Sequence, residues 1–181
     1  RKRMGALISG YIFTTNWRKS MNKSLLSSLQ KVPSEWKSAS KIYGEAVEYW
    51  VAENLKCPEC SGILIKLRAN VPSIDHVCGS CNSNFQVKAK HGKILKEDGS
   101  ASIQGAEYKT TLNSLTEVIL GWSMIMVSYS REKNMVEGVH YVPGSKIKEK
   151  NIVPRKPLSP KARRAGWQGC NIIFEKGTSS K

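Results

Sequence analysis

Between residues 34 and 54 the apolar side chains Trp36, Ala39, Ile42, Tyr43, Ala46, Val47, Trp50 and Val51 return every three or four positions, with Glu45, Glu48 and Glu53 interleaved. That period is the apolar stripe of an α-helix, so this stretch predicts a helix facing a core. Leu25, Leu26 and Leu29 are spaced for one further short helix. The pattern then tightens. Residues 63–67, 74–77 and 85–89 are β-rich runs bounded by Gly, Pro, Asn or Ser and read as adjacent strands. In the third, Phe85 and Val87 alternate with Gln86, Lys88 and Lys90, which puts an amide and two ammonium groups on one face. Residues 103–117 carry weak helical spacing, and 122–129 and 136–142 read as two more strands, the second ending at Pro143-Gly144. An apolar run at 170–174 closes the pattern, and no internal repeat interrupts it.

A chain of 181 residues is long enough for one domain with a real core. Its 29 Lys and Arg against 14 Asp and Glu give a formal charge of +15, which suits a polyanion such as nucleic acid better than a neutral metabolite, with an anionic membrane surface second. No apolar run approaches the ~18 residues of a membrane span, so a soluble protein is expected. Residues 1–33 read as a basic arm or extension: the first 34 positions hold seven Lys or Arg and no acid. A second basic stretch, 146–164, carries eight Lys or Arg against Glu149 alone, and Pro154, Pro157 and Pro160 keep much of it extended. Such a stretch either follows a phosphate backbone or is a solvated loop.

The sharpest chemical signal is a pair of CxxC motifs, Cys57-Pro-Glu-Cys60 and Cys78-Gly-Ser-Cys81, separated by 17 residues. Two intervening residues let one tight turn aim both thiolates at a common point, and two such turns make a four-thiolate site suited to structural Zn²⁺. Two disulfides are the alternative. Gly79 is expected to relax the second turn into positive φ. A closed four-cysteine site has no open coordination position, so any reaction needs another centre. Cys170, in an apolar run, reads as a buried core thiol.

That other centre lies beside the second turn. Asp75 sits three residues before Cys78 and Gln86-Val87-Lys88 begins five after Cys81, so the turn joins two strands whose ends can bring a carboxylate, an amide and an ammonium together. Asp75, the Val87 carbonyl and the Gln86 amide oxygen are oxygen donors suited to Mg²⁺, and Lys88 can orient or deprotonate a water. The competing reading makes Gln86, Lys88 and Lys90 the wet face of an edge strand.

An Asp followed eleven positions later by an acid-or-amide, any, Lys triplet resembles the PD-(D/E)xK nuclease signature, and its union with a CxxC/CxxC ribbon resembles the DpnI family of restriction endonucleases. The segment RKPLSPKARRAGWQGCNI at 155–172 is similar to the same family. Weaker similarity runs through GAEYKTTLN, VEGVHYVPG and EYWVAENLKCPEC, so the likeness spans roughly residues 40–174.

The resemblance implies an α/β (α+β) fold, a mixed sheet flanked by helices at 34–181 with a zinc-ribbon knuckle pair at 57–81. It also implies Mg²⁺-dependent double-strand cleavage of DNA selective for adenine-methylated GATC, in a bacterial cytoplasm, by a monomer or a transient dimer on DNA. Carried onto this chain, Asp75 is the metal-binding carboxylate, Lys88 the water-activating lysine, and Glu48 an acid that either supports the metal's ligands or completes a second metal site. Trp167 is the aromatic beside the adenine methyl group, unless it is an ordinary core tryptophan. Arg163 and Arg164, with Lys161 and Arg155, are the candidate DNA contacts. Two differences from the family stand out: Gln86 replaces its Glu, and the winged-helix domain it appends has no counterpart here. Either the chain is a fragment or selectivity rests on the nuclease domain. The alternatives are a non-cleaving methylated-DNA-binding module and, last, an RNA-binding zinc ribbon.

Overall fold

The computed structural model describes residues 23–68, 74–117 and 122–174. Expectations that fall on residues 1–22 lie outside the described residues. A short helix α1 (Leu26–Leu29) precedes α2 (Ala39–Asn54), whose buried positions Ala46, Val47, Trp50 and Val51 are the helical stripe read from the sequence. The helix starts at Ala39 rather than near residue 34, because the chain is extended at Ser38. Three strands follow: β1 (Leu64–Lys66), β2 (His76–Cys78) and β3 (Asn84–His91). They pair antiparallel in chain order, as expected for adjacent strands.

Residues 103–117 depart from the expected helix. Their first part belongs to strand β4 (Ala101–Glu107), and only Tyr108–Glu117 forms α3. Ala101 and Ile103 are buried on alternate positions, and Gly105 admits the Cys170 sulfur where a Cβ would stand 2.4 Å away. A period of two therefore wins over a weak period of 3.6. After α3 come β5 (Ser123–Ser130), β6 (Met135–Val142), β7 (Ile152–Pro154) and β8 (Gly169–Phe174).

Two sheets result. The larger is mixed, in the order β1-β2-β3-β5-β6, with β3 and β5 parallel; the smaller is antiparallel, β4-β8-β7. A parallel pair needs a long crossover, and the segment carrying β4 and α3 supplies it. One face of the large sheet meets α1 and α2 through Leu25, Val47, Trp50, Phe85, Val87, Ile125 and Val127. Met124, Met126 and Val142 on its other face join Ile103, Ile152 and Ile172 of the small sheet in a second core. Leu25 is fully buried, so residues the sequence pattern assigns to the arm pack with α2.

Strand β3 is thus central, between β2 and β5, and the reading of its Gln86–Lys88–Lys90 face as a solvated edge is overturned. Gln86 is buried, and Lys90 Nζ donates to the Ser102 carbonyl of β4 at 3.2 Å. No helix among the described residues is long and apolar enough to cross a membrane.

Candidate active site and thiolate cluster

The four cysteine sulfurs of the CxxC pairs lie within 4.8 Å of one another, with Cys57–Cys81 at 3.7 Å and Cys60–Cys78 at 3.4 Å. A tetrahedral Zn²⁺ with bonds of about 2.3 Å sets its sulfurs about 3.8 Å apart, whereas a disulfide needs about 2.05 Å. All five cysteines are free thiols, so the disulfide alternative falls and the donor set fits zinc.

The two knuckles are built alike. Ser61 N donates to Cys57 O and Asn82 N to Cys78 O, and both donors, each just past the second cysteine, are left-handed (φ 64° and 59°). Gly62 N and Ser80 N donate to the Cys60 and Cys78 sulfurs, both at 3.4 Å. Positive φ therefore falls on Ser61 and Asn82 and not on Gly79; Gly79 instead matters for space, since a Cβ there would stand 3.1 Å from Ile65 Cδ1. Contacts with the Ser83 hydroxyl, 3.2 Å from the sulfur, and with the Ser83 amide lower the pKa of the Cys81 thiol to about 6, towards the thiolate a metal requires.

Glu59, inside the first knuckle, ties this cluster to the large sheet. Its carboxylate accepts from the Ser83 hydroxyl, from Tyr141 Oη at 2.7 Å and from Ser123 Oγ at 3.3 Å. Cys170, by contrast, is fully buried between Ala106 O and Thr111 Oγ1, the core thiol expected.

The turn carrying Cys78 and Cys81 joins β2 to β3 and brings Asp75 beside Gln86-Val87-Lys88. Asp75 N donates to Phe85 O at 2.9 Å, and Val87 N donates to Asp75 Oδ2 at 2.7 Å. In extended backbone the amide and carbonyl of one residue point to the same neighbouring strand, so the Val87 carbonyl faces the Asp75 side as well. Gln86 is only 4 % exposed, and its Oε1 has no hydrogen-bond partner among the described residues. An unpaired buried acceptor costs about 1–3 kcal/mol. A cation ligated there would remove that cost, so the residues present fit a divalent ion with oxygen ligands. Burial raises the Asp75 pKa, against the lowering effect of the Lys88 ammonium and the Val87 amide.

Glu48 reaches this group from α2. Burial, then the Asp75 charge, raise its pKa to about 7 against the opposing pull of Lys66. Lys66 Nζ stands 3.0 Å from Glu48 Oε2 and 3.0 Å from Glu45 Oε1. Burial alone would lower the Lys66 pKa, but the two carboxylates outweigh it and the net displacement is upward. His76 Nε2 is 2.9 Å from the Glu48 carbonyl, which can only accept, so the ring proton lies on Nε2; burial holds the imidazole neutral, at about 4. Glu45, Lys66, His76 and Glu59 were not among the candidates from sequence. Glu45 had a signal, lying one helical turn before Glu48, whereas Lys66 becomes visible only through its register opposite His76.

The remaining candidates lie on the other sheet, in the loop between β7 and β8. Arg155 N donates to Gly169 O, Leu158 N to Trp167 O, Gly166 N to Leu158 O and Trp167 N to Arg164 O, which closes residues 155–168 into a hairpin extension. Gly166 takes φ +76°, and a Cβ on Gly169 would meet the Trp167 ring at 2.9 Å. Arg155, Lys161, Arg163 and Arg164 are exposed, and the Arg164 guanidinium lies 4.7 Å over the Trp167 ring. Trp167 is half-buried and outside both core clusters, unlike an ordinary core tryptophan. With both groups of residues in place, the comparison with known families agrees with the fold: residues 25–179 match the family described as DpnI, Dam-replacing family, and the chain belongs to it.

Proposed function

We propose that this protein is a Mg²⁺-dependent type II endonuclease that hydrolyses double-stranded DNA at adenine-methylated GATC sites. Membership of the DpnI family points to a restriction endonuclease. The observation that carries the finer reading is the Val87–Asp75 hydrogen bond, which fixes a carboxylate to β3 between Gln86, whose buried oxygen has no partner among the described residues, and Lys88. Asp75, the Gln86 amide oxygen and the Val87 carbonyl would hold Mg²⁺. When bound, the ion offsets charge growing on the phosphate and lowers the pKa of water. Lys88 orients the attacking water and stabilises the phosphate oxygens. The water oxygen joins phosphorus and gives up a proton as the bond to the 3′ oxygen breaks, and the departing 3′ oxygen takes up a proton, leaving a 5′ phosphate and a 3′ hydroxyl. The exposed cations of residues 155–168 grip the backbone, and the Trp167 ring offers apolar contact to the adenine methyl group.

Gln86 supports a second reading, a module that binds methylated DNA without cutting it, because a neutral amide attracts Mg²⁺ less than a carboxylate does. Incubation with GATC-methylated and unmethylated plasmids, in Mg²⁺ and in EDTA, separates the two. Cutting of the methylated plasmid alone, lost in EDTA and in Lys88→Ala while DNA binding survives, is the expected result. Methyl-selective binding with no cutting establishes the second reading, and full cutting by Lys88→Ala removes the site assignment.

A further inference from the structure

A lysine at a sheet edge ordinarily extends into water, yet Lys66, at the end of edge strand β1, is 13 % exposed. Its ammonium is held from three sides, by Glu45 Oε1 and Glu48 Oε2 at 3.0 Å each and by the Tyr49 ring at 4.9 Å. Fixing a lysine side chain costs rotamer entropy, and charge-assisted hydrogen bonds to two carboxylates offset it. Glu45 and Glu48 stand one turn apart on α2, where their oxygens can converge on one small cation. Lys66 supplies that cation from within the chain.

We propose that Lys66 is a tethered cation that fills the Glu45–Glu48 end of the acidic group, so that the protein takes a single divalent ion, at Asp75 and Gln86. This inference rests on the reading of Asp75 and Gln86 as a cation site, and it resolves the role of Glu48: it positions Lys66 and acts through its charge, without ligating a second ion. A divalent ion at the α2 end would have to shed water and displace an ammonium already bonded to both carboxylates. Mg²⁺ dehydrates reluctantly, and a tethered group competes at an effective concentration of about millimolar or above. Without the ammonium, Glu45 and Glu48 would stand one turn apart beside Asp75 with no tethered cation between them, which leaves their oxygens open to a second ion.

Zinc-loaded protein titrated with Mn²⁺ alone, with free Mn²⁺ followed by electron paramagnetic resonance and zinc content checked throughout, tests this. Wild type and Lys66→Arg are expected to bind the same number of Mn²⁺ ions. Lys66→Met should bind one more, and Glu45→Gln added to Lys66→Met should remove it. An unchanged count in Lys66→Met overturns the inference. If wild type binds no Mn²⁺ while Lys66→Met binds one, Lys66 does fill the Glu45–Glu48 end but the Asp75–Gln86 ion falls, and the proposal of a single ion with it; if wild type binds one and Lys66→Met no more, the Asp75–Gln86 site stands and the tethered cation falls. Should Lys66→Met fail to fold, Glu45→Gln alone decides. It keeps Lys66 bonded to Glu48 and should leave the count unchanged, and loss of an ion would place a metal where we place the ammonium.

Discussion

Glu48 lies between an ammonium that favours its charge and a buried carboxylate, Asp75, that opposes it, and its pKa near 7 records that burial and Asp75 prevail. In the unfolded chain the same group titrates near 4.5. The folded protein therefore binds more protons between those values, and stability falls as pH rises through that window and then levels. Glu48→Gln removes this contribution. We expect the variant to match wild type near pH 4 and to exceed it by about 1–3 kcal/mol at pH 8, in urea melts of zinc-loaded protein free of Mg²⁺. Parallel stability curves would show that Glu48 titrates alike in the folded and unfolded chain. The placement of Asp75 beside residues 86–88 was legible in the sequence, because a knuckle turn between two β-rich runs leaves the strands little choice but to pair back on themselves. Lys66 was not: its partners lie on a helix, and only the register of β1 against β2, opposite His76, sends its side chain there.

Strands and turns differ in how plainly their local pattern shows them. The helical stripe of α2 and the strands at 63–67, 74–77 and 85–89 stood out because their periods are clean. Strand β4 was hidden because Gly105 breaks the alternation, and that gap is filled by Cys170 from β8, a neighbour no local pattern reveals. The centrality of β3 was hidden for the same reason, since its parallel partner β5 arrives some 30 residues later. In the knuckles the spacing of cysteines is plain, but which glycine is needed depends on packing between the two turns. Gly62, not Gly79, sits at the tightest point, where a Cβ would fall 2.5 Å from Ser80 Oγ and 2.9 Å from the Cys78 sulfur. Gly62→Ala should push the two knuckles apart and speed zinc transfer to a chromogenic chelator by about ten- to hundredfold, whereas Gly44→Ala, with open space around its Cβ, should leave it unchanged. Equal rates would mean that the knuckles tolerate separation. Cys57→Ala or Cys78→Ala should cost folding itself, seen as loss of the cooperative thermal transition, and a chelator that strips the zinc should do the same.

The two sheets divide the chemistry. The large one carries the cysteine cluster and the acidic group with Asp75, and the small one carries the cationic hairpin between β7 and β8. They are joined by a core in which Met124 and Met126 of β5 meet Ile103 and Ile172, so the hairpin is anchored to a strand that also flanks β3. With a formal charge of +15, much of the affinity for DNA should be electrostatic, and the question is how much of it the hairpin supplies. Each phosphate contact contributes about 0.9 to the slope of log affinity against log salt. Replacing Arg155, Lys161, Arg163 and Arg164 together by alanine should therefore lower that slope by up to about 4, and should weaken methylated and unmethylated DNA alike, since phosphate contacts carry no sequence information. Trp167→Ala should do the opposite, leaving the salt slope in place and narrowing the gap between methylated and unmethylated DNA. That variant also frees the Arg164 guanidinium from its ring, so any change in slope it does produce measures how far the tryptophan holds Arg164 for the phosphate. A quadruple variant with an unaltered slope would move the backbone contact off the hairpin, towards the lysines at 146, 148 and 150, which precede β7.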